Sequence, residues 1–231
     1  MKVDREGTGE MPAWRINNIS STPYLNLFDV IGQDGQGHFI LHAGLAANSG
    51  AQQARNIPVI DMGPPLPSNR PMPANVVGTT YLTVDEQQKI KTFVDRHKSE
   101  HLALQKVQLN RTTIGQAYCV MPHATPLKEA DGRYTRMRFS CAGFVLEAYK
   151  FAHIQIVNEN YIPAIDLVKI QQAYPAFSKR LNNNAIRVSL GLSGNGPWPV
   201  MLCGYLFHAL NRSPQQIRQT SYVAHSGHEV F

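Results

Sequence analysis

The chain has 231 residues, 43% hydrophobic and 16% charged, an ordinary globular composition long enough for one sizeable core or two small ones. Lys and Arg number 22 against 16 Asp and Glu, a formal charge of +6, but the basic residues are scattered and no nucleic-acid reading motif accompanies them, which argues against a specific nucleic-acid site. Three widely spaced cysteines, Cys119, Cys141 and Cys203, with no CxxC pair, argue against a zinc knuckle and a disulfide framework and suit a reducing, cytoplasmic compartment. The first residues, MKVDREGTGEMPAW, lack the apolar stretch of a secretory signal, and no run of ~18 apolar residues predicts a transmembrane helix.

Residues 1–22 are polar and read as an extended arm. PYLNLFDVIG (23–32) reads as a strand, QDGQG (33–37) as a turn with the hairpin signal Asp34-Gly35, and HFILHAGLA (38–46) as the returning strand. NIPVIDMG (56–63) is a third short strand. Residues 64–77, PPLPSNRPMPANVV, are too rich in proline for a helix or a central strand and predict a long internal loop.

The clearest helix is 83–104, opened by a Thr83/Glu86 capping box, with Ile90, Phe93 and Val94 at helical spacing. It carries His97 and His101 four residues apart, read as solvated helix-face histidines rather than metal ligands. YCVMP (118–122) reads as a strand, and 123–137 as polar and irregular. SCAGFVLEAYKFAHI (140–154) is an amphipathic helix with Ser140 as N-cap. A further helix is expected over 163–175 and a strand over 186–192. VMLCGYLFHAL (200–210) suits a buried helix or a buried strand.

Cys141 falls where the helix over 140–154 starts. The unsatisfied N–H groups and the positive dipole end of a helix start stabilise a thiolate and can stabilise an oxyanion formed beside it. Ala142 and Gly143 leave room for close packing. From the local pattern alone the residue reads more readily as a small buried side chain, since free cysteine is among the most buried types. Cys119 and Cys203 lie in apolar segments and read as inert.

Two segments together carry a resemblance. FSCAGFVLEAYKF resembles the nucleophile helix of NlpC-type cysteine peptidases, a branch of the papain-like hydrolases, through Cys141, Gly143, Val145 and Tyr149, with Ser140 in place of the usual Asp and Ala142 in place of the usual Ser. GHFILHAG resembles the histidine strand of that family through Gly37, His38, Leu41 and Gly44. LFDVIG stands where the family has Gly-Asp-Leu/Val-Ile, with Phe28 in place of Gly. The histidine precedes the cysteine, which resembles the circularly permuted branch that includes lecithin-retinol-acyltransferase-like proteins.

The resemblance implies an α+β, papain-like fold in circularly permuted order, with a small antiparallel sheet packed against the helix that carries the cysteine. It implies one domain over 1–231, with 64–77 as an internal loop and 155–231 unassigned. Cys141 would be the nucleophile and His38 the general base. Asp61 would orient the imidazole, with Asn48 and Asn56 as rivals. Tyr134 or Tyr118 would stand near the oxyanion. His42, on the same strand, begins HAGLA, a shorter match, and is either a rival base or a substrate-binding neighbour.

No metal or organic cofactor is implied. The partner would be a peptide or acyl substrate, cleaved at an amide or ester bond through an acyl-thioenzyme. The alternatives are acyl transfer on a lipid-like substrate and a catalytically inactive binding protein of the same fold.

Overall fold

The computed structural model describes residues 13–15, 24–53, 56–63, 70–107 and 118–231. In these residues the fold is α+β, with small antiparallel sheets and several helices. The strands of the N-terminal half are β1 (Trp14–Arg15), β2 (Tyr24–Leu25), β3 (Val30–Asp34), β4 (Ile40–Ala46), β5 (Gly50–Ala51), β6 (Ile57–Asp61), β7 (Arg70–Met72) and β8 (Val76–Gly78). Six of them form one antiparallel sheet in the order β1-β8-β3-β4-β6-β7, and β2 pairs with β5 beside it. The hairpin expected at Asp34-Gly35 joins β3 to β4 through a short 3-10 turn, Gln36–His38.

The proline-rich segment is not simply a loop. Part of it, 64–69, lies outside the described residues, but the rest supplies β7 and β8. Proline is admitted because β7 is the edge strand, where a missing N–H costs no ladder bond. β8 contains no proline and lies between β1 and β3, with Val76 and Val77 fully buried.

The expected capping box opens α1 (Val84–Val107): Thr83 N–H donates to Glu86 Oε2 at 2.7 Å, and Glu86 N–H to Thr83 Oγ1 at 3.3 Å. His97 is not solvated. It is 4% exposed, packed edge-on against Phe93 and Phe139, with Nδ1 2.9 Å from Glu100 Oε2. The side chain of His101 lies outside the described residues.

Residues 118–122 form only a bridge, Tyr118 to Phe139, while the polar stretch after them folds into a hairpin of β9 (Ala124–Lys128) and β10 (Tyr134–Phe139). β10 leads directly into α2 (Cys141–Phe151). Beyond it come β11 (Ala164–Ile165), α3 (Leu167–Ala173), α4 (Asn184–Ser189), β12 (Trp198–Pro199), α5 (Cys203–Leu210) and α6 (Pro214–Gln219). The strand expected over 186–192 is therefore replaced by a helix. Asn183 caps it, accepting from the N–H groups of Ala185 and Ile186, and that local cap outweighs the apolar alternation.

α2 is the hub. Phe144, Val145, Ala148 and Tyr149 are fully buried, and the helix packs against β4, α1 and α5. Burial of one such large apolar side chain contributes ~1.5–3 kcal/mol, so the position of Cys141 is fixed by packing. No helix among the described residues is long and apolar enough to cross a membrane.

Candidate functional site

Cys141 is the first residue of α2. Ser140 caps that helix, its Oγ accepting from Gly143 N–H at 2.9 Å, so the helix starts at the cysteine. Gly143 has to be a glycine here: a Cβ would stand 2.0 Å from the carbonyl oxygen of His123, which itself accepts from Ser140 N–H at 2.8 Å. The first turn of α2 is thus clamped against the 118–123 segment.

The histidine that reaches the sulfur is His42, whose Nδ1 lies 2.9 Å from Cys141 Sγ. Its Nε2 lies 2.7 Å from Asp61 Oδ2. The sheet makes this line. In the β4–β6 register Gly44 opposes Asp61, and His42, two residues before Gly44, shares its face. A Cβ on Gly44 would stand 3.0 Å from Asp61 Cβ, so the glycine opens the path between carboxylate and imidazole. Arg70, from β7, also bonds Asp61 Oδ2.

His38 is not at the sulfur. It is exposed and ends the 3-10 turn before β4 with a left-handed φ of 63°, and its carbonyl accepts from Phe231 N–H at 3.0 Å. Two-residue alternation would place His38 and His42 on one face only if the strand included both. The strand begins at Ile40, after a register shift between Gln33 and Asp34, so the inference fails at the turn. Asn48 and Asn56 are exposed, and of the three candidates for the third residue only Asp61, fully buried, meets the imidazole.

Of the two tyrosines, the structure brings Tyr118 to the cysteine. Cys141 N–H donates to Tyr118 Oη at 3.0 Å, and Tyr118 Oη is 2.9 Å from Sγ. Since that oxygen accepts the amide hydrogen, its own hydrogen is free to donate to the sulfur. Tyr134 sits at the far end of β10 and donates to Glu100 Oε1 at 2.9 Å.

Cys203, read from sequence as inert, faces Cys141 from the start of α5. The only sequence signal was the small residue after it, Gly204; the ambiguity of 200–210 between helix and strand hid the helix start. Arg70 had no signal at all, being embedded among prolines. Burial pushes the Cys119 thiol up to about 12.

The electrostatics favour a charge-separated pair. The Cys141 thiol is held well below its usual range, foremost by a hydrogen bond from Cys203 and then, against the opposing cost of burial, by the charge and the hydrogen bond of His42 and a bond from Tyr118. Cys203 moves the other way, held protonated by donating to that thiolate and by burial. Burial alone would lower His42, but the Cys141 thiolate and the Asp61 carboxylate outweigh it and raise the imidazole to about 10.

Stability then depends on pH through proton counts. Between the lowered Cys141 value and the ordinary histidine value of 6.5, the unfolded chain holds two protons on this pair and the folded chain one, so stability rises with pH. From 6.5 to 9.0, the ordinary thiol value, both states hold one and the contribution is level. From 9.0 to about 10 the unfolded chain holds none and the folded chain one, so stability falls. Urea midpoints of the wild type minus those of a His42→Ala/Cys141→Ala variant trace this rise, plateau and fall; a difference that changes in one direction throughout contradicts the pair.

What the arrangement can do chemically is nucleophilic attack. A thiolate at a helix start has an imidazolium on one side and a tyrosine hydroxyl and its own backbone N–H on the other. No family model, curated protein or solved structure matches the chain.

Proposed function

We propose that this protein is a cysteine hydrolase of the permuted papain-like kind, cleaving an amide or ester bond through an acyl-thioenzyme on Cys141. The observation that carries the reading is the unbroken line Cys141–His42–Asp61, with separations of 2.9 and 2.7 Å. Its geometry is what the chemistry needs whatever the chain order. The backbone at Phe28 adds support: it holds a left-handed φ of 66° where the resembled family has Gly, the residue that best tolerates that conformation.

In the reaction, Cys141 Sγ attacks the substrate carbonyl carbon and the carbonyl π electrons move to oxygen. Cys141 N–H and Tyr118 O–H stabilise that oxyanion as the oxygen takes the place of their mutual contact. The carbonyl re-forms, the C–N or C–O bond breaks, and His42 Nδ1–H delivers its proton to the leaving group. His42, now neutral, takes a proton from water; the resulting hydroxide attacks the thioester and Sγ leaves as thiolate. Asp61 holds the ring orientation and stabilises the imidazolium throughout.

The test is a panel of activated aryl esters and anilides of varied acyl chain, with intact-mass detection. The expected result is an added acyl mass on Cys141, released by hydroxylamine, and turnover that vanishes in Cys141→Ser. Turnover undiminished in Cys141→Ser, or acylation confined to other residues, contradicts the reading.

A further inference from the structure

Outside the cysteine site, His123, Glu147 and Glu159 converge from three segments: the strand-free stretch before β9, the middle of α2, and a 3-10 turn, Glu159–Tyr161. Their donor atoms lie within 4.8 Å of one another. His123 Nε2 is 3.5 Å from Glu147 Oε1 and 3.4 Å from Glu159 Oε2. The nitrogen is buried and makes no hydrogen bond.

Those separations are informative. A good N–H···O bond spans ~2.7–3.2 Å, so the imidazole stands back from both carboxylates. A tetrahedral zinc ion with N and O ligands at ~2.0–2.2 Å holds its ligands about 3.3–3.5 Å apart. The ring nitrogen is thus already spaced from each oxygen as ligands that share an ion, the two oxygens lie within 4.8 Å of each other, and an imidazole with two carboxylates leaves a fourth position for water. An imidazole ligand disfavours calcium and magnesium, which take oxygen ligands, and magnesium's shorter octahedral edges do not match.

We propose that His123, Glu147 and Glu159 form a zinc site that pins the start of the cysteine helix. Glu147 is on α2 six residues beyond Cys141, about 9 Å along the axis, so the ion takes no part in thiol chemistry. It acts on position instead. The carbonyl of His123 holds Ser140 N–H and crowds Gly143, so fixing His123 to Glu147 and Glu159 fixes the first turn of α2.

A cation already facing the site is Lys150, whose Nζ lies 3.4 Å from Glu147 Oε1 and 3.0 and 3.3 Å from the two oxygens of Glu159. Its side chain is half exposed, so it can swing into water when an ion enters. Lys150 is therefore a competitor for zinc.

Zinc chloride is titrated into a full-length Cys119→Ser/Cys141→Ser/Cys203→Ser variant, which removes all thiol ligands, with chelator competition and melting temperature as readouts. One equivalent is expected to bind and to raise the melting temperature. Affinity is expected to fall at least ~10-fold when His123→Gln or Glu159→Gln is added, and to rise ~10-fold with Lys150→Met. Glu159 is on a surface turn and Lys150 is half exposed, so these variants keep the fold. The proposal is overturned if the thiol-free variant binds no zinc, if His123→Gln and Glu159→Gln bind as well as their parent, or if Lys150→Met leaves affinity unchanged.

Discussion

Replacing Asp61 by alanine is expected to destabilise the protein by about 3–5 kcal/mol, the range for breaking one partner out of a buried ion pair. Asp61 is fully buried and its Oδ2 receives both His42 and Arg70. Arg70 is about half exposed and can turn to water, whereas the His42 side chain is only 18% exposed and keeps the Cys141 thiolate alone to offset its charge. Most of the loss therefore comes from the imidazolium, which loses one of its two anionic partners. Asp61→Asn keeps an oxygen that accepts from Nε2 but removes the charge, so its cost is expected to be smaller, ~1–2 kcal/mol. Urea unfolding with an unchanged slope measures both. If Asp61→Ala unfolds within ~0.5 kcal/mol of the wild type, the carboxylate is not holding a charged imidazole.

His42→Ala is expected to lower turnover of an activated ester by ~10²–10⁴-fold, the usual loss for removing a general acid–base group. The same replacement at His38 is expected to change it by less than about twofold, because an exposed side chain in a turn touches no reacting atom. The pair of variants separates two readings that are nearly indistinguishable in the sequence. A larger loss at His38 than at His42 would mean that the geometry around Cys141 is not the working geometry.

Much of the site was legible before the fold. A cysteine preceded by a good N-cap and followed by small residues marks a helix start, and that signal is local, so it carried through to Ser140 and Cys141. Asp61 could be named because it ends a short strand two turns along the chain from the histidines. The histidine itself could not be chosen, since the choice depended on where β4 begins. Hairpin turns and bulges decide that, and the left-handed residues Gly37 and His38 give no pattern to count.

Contacts formed across long separations were less visible still. Cys203 meets Cys141 from a later helix of the chain, Arg70 arrives on an edge strand hidden among prolines, and Tyr118 was one of two tyrosines with no motif to separate them. The C-terminal part, 155–231, matched no pattern, yet it supplies α5 and with it the thiol that most strongly favours the Cys141 thiolate. The β9–β10 hairpin was missed for a different reason. Its strands are mostly polar and half exposed, so hydrophobic alternation had little to report.

The central claim is that Cys141 is a thiolate held by His42. The most direct measurement is the rate of iodoacetamide alkylation at Cys141 against pH, with the labelled site read by mass spectrometry, for the wild type, His42→Ala and His38→Ala. The account predicts a wild-type rate that is already high and level through neutral pH, and a His38→Ala profile that follows it. In His42→Ala the rate should climb about tenfold per pH unit toward the ordinary thiol range. Labelling of wild-type Cys141 no faster than of Cys119 and Cys203, or a profile that His42→Ala leaves unchanged, would contradict it.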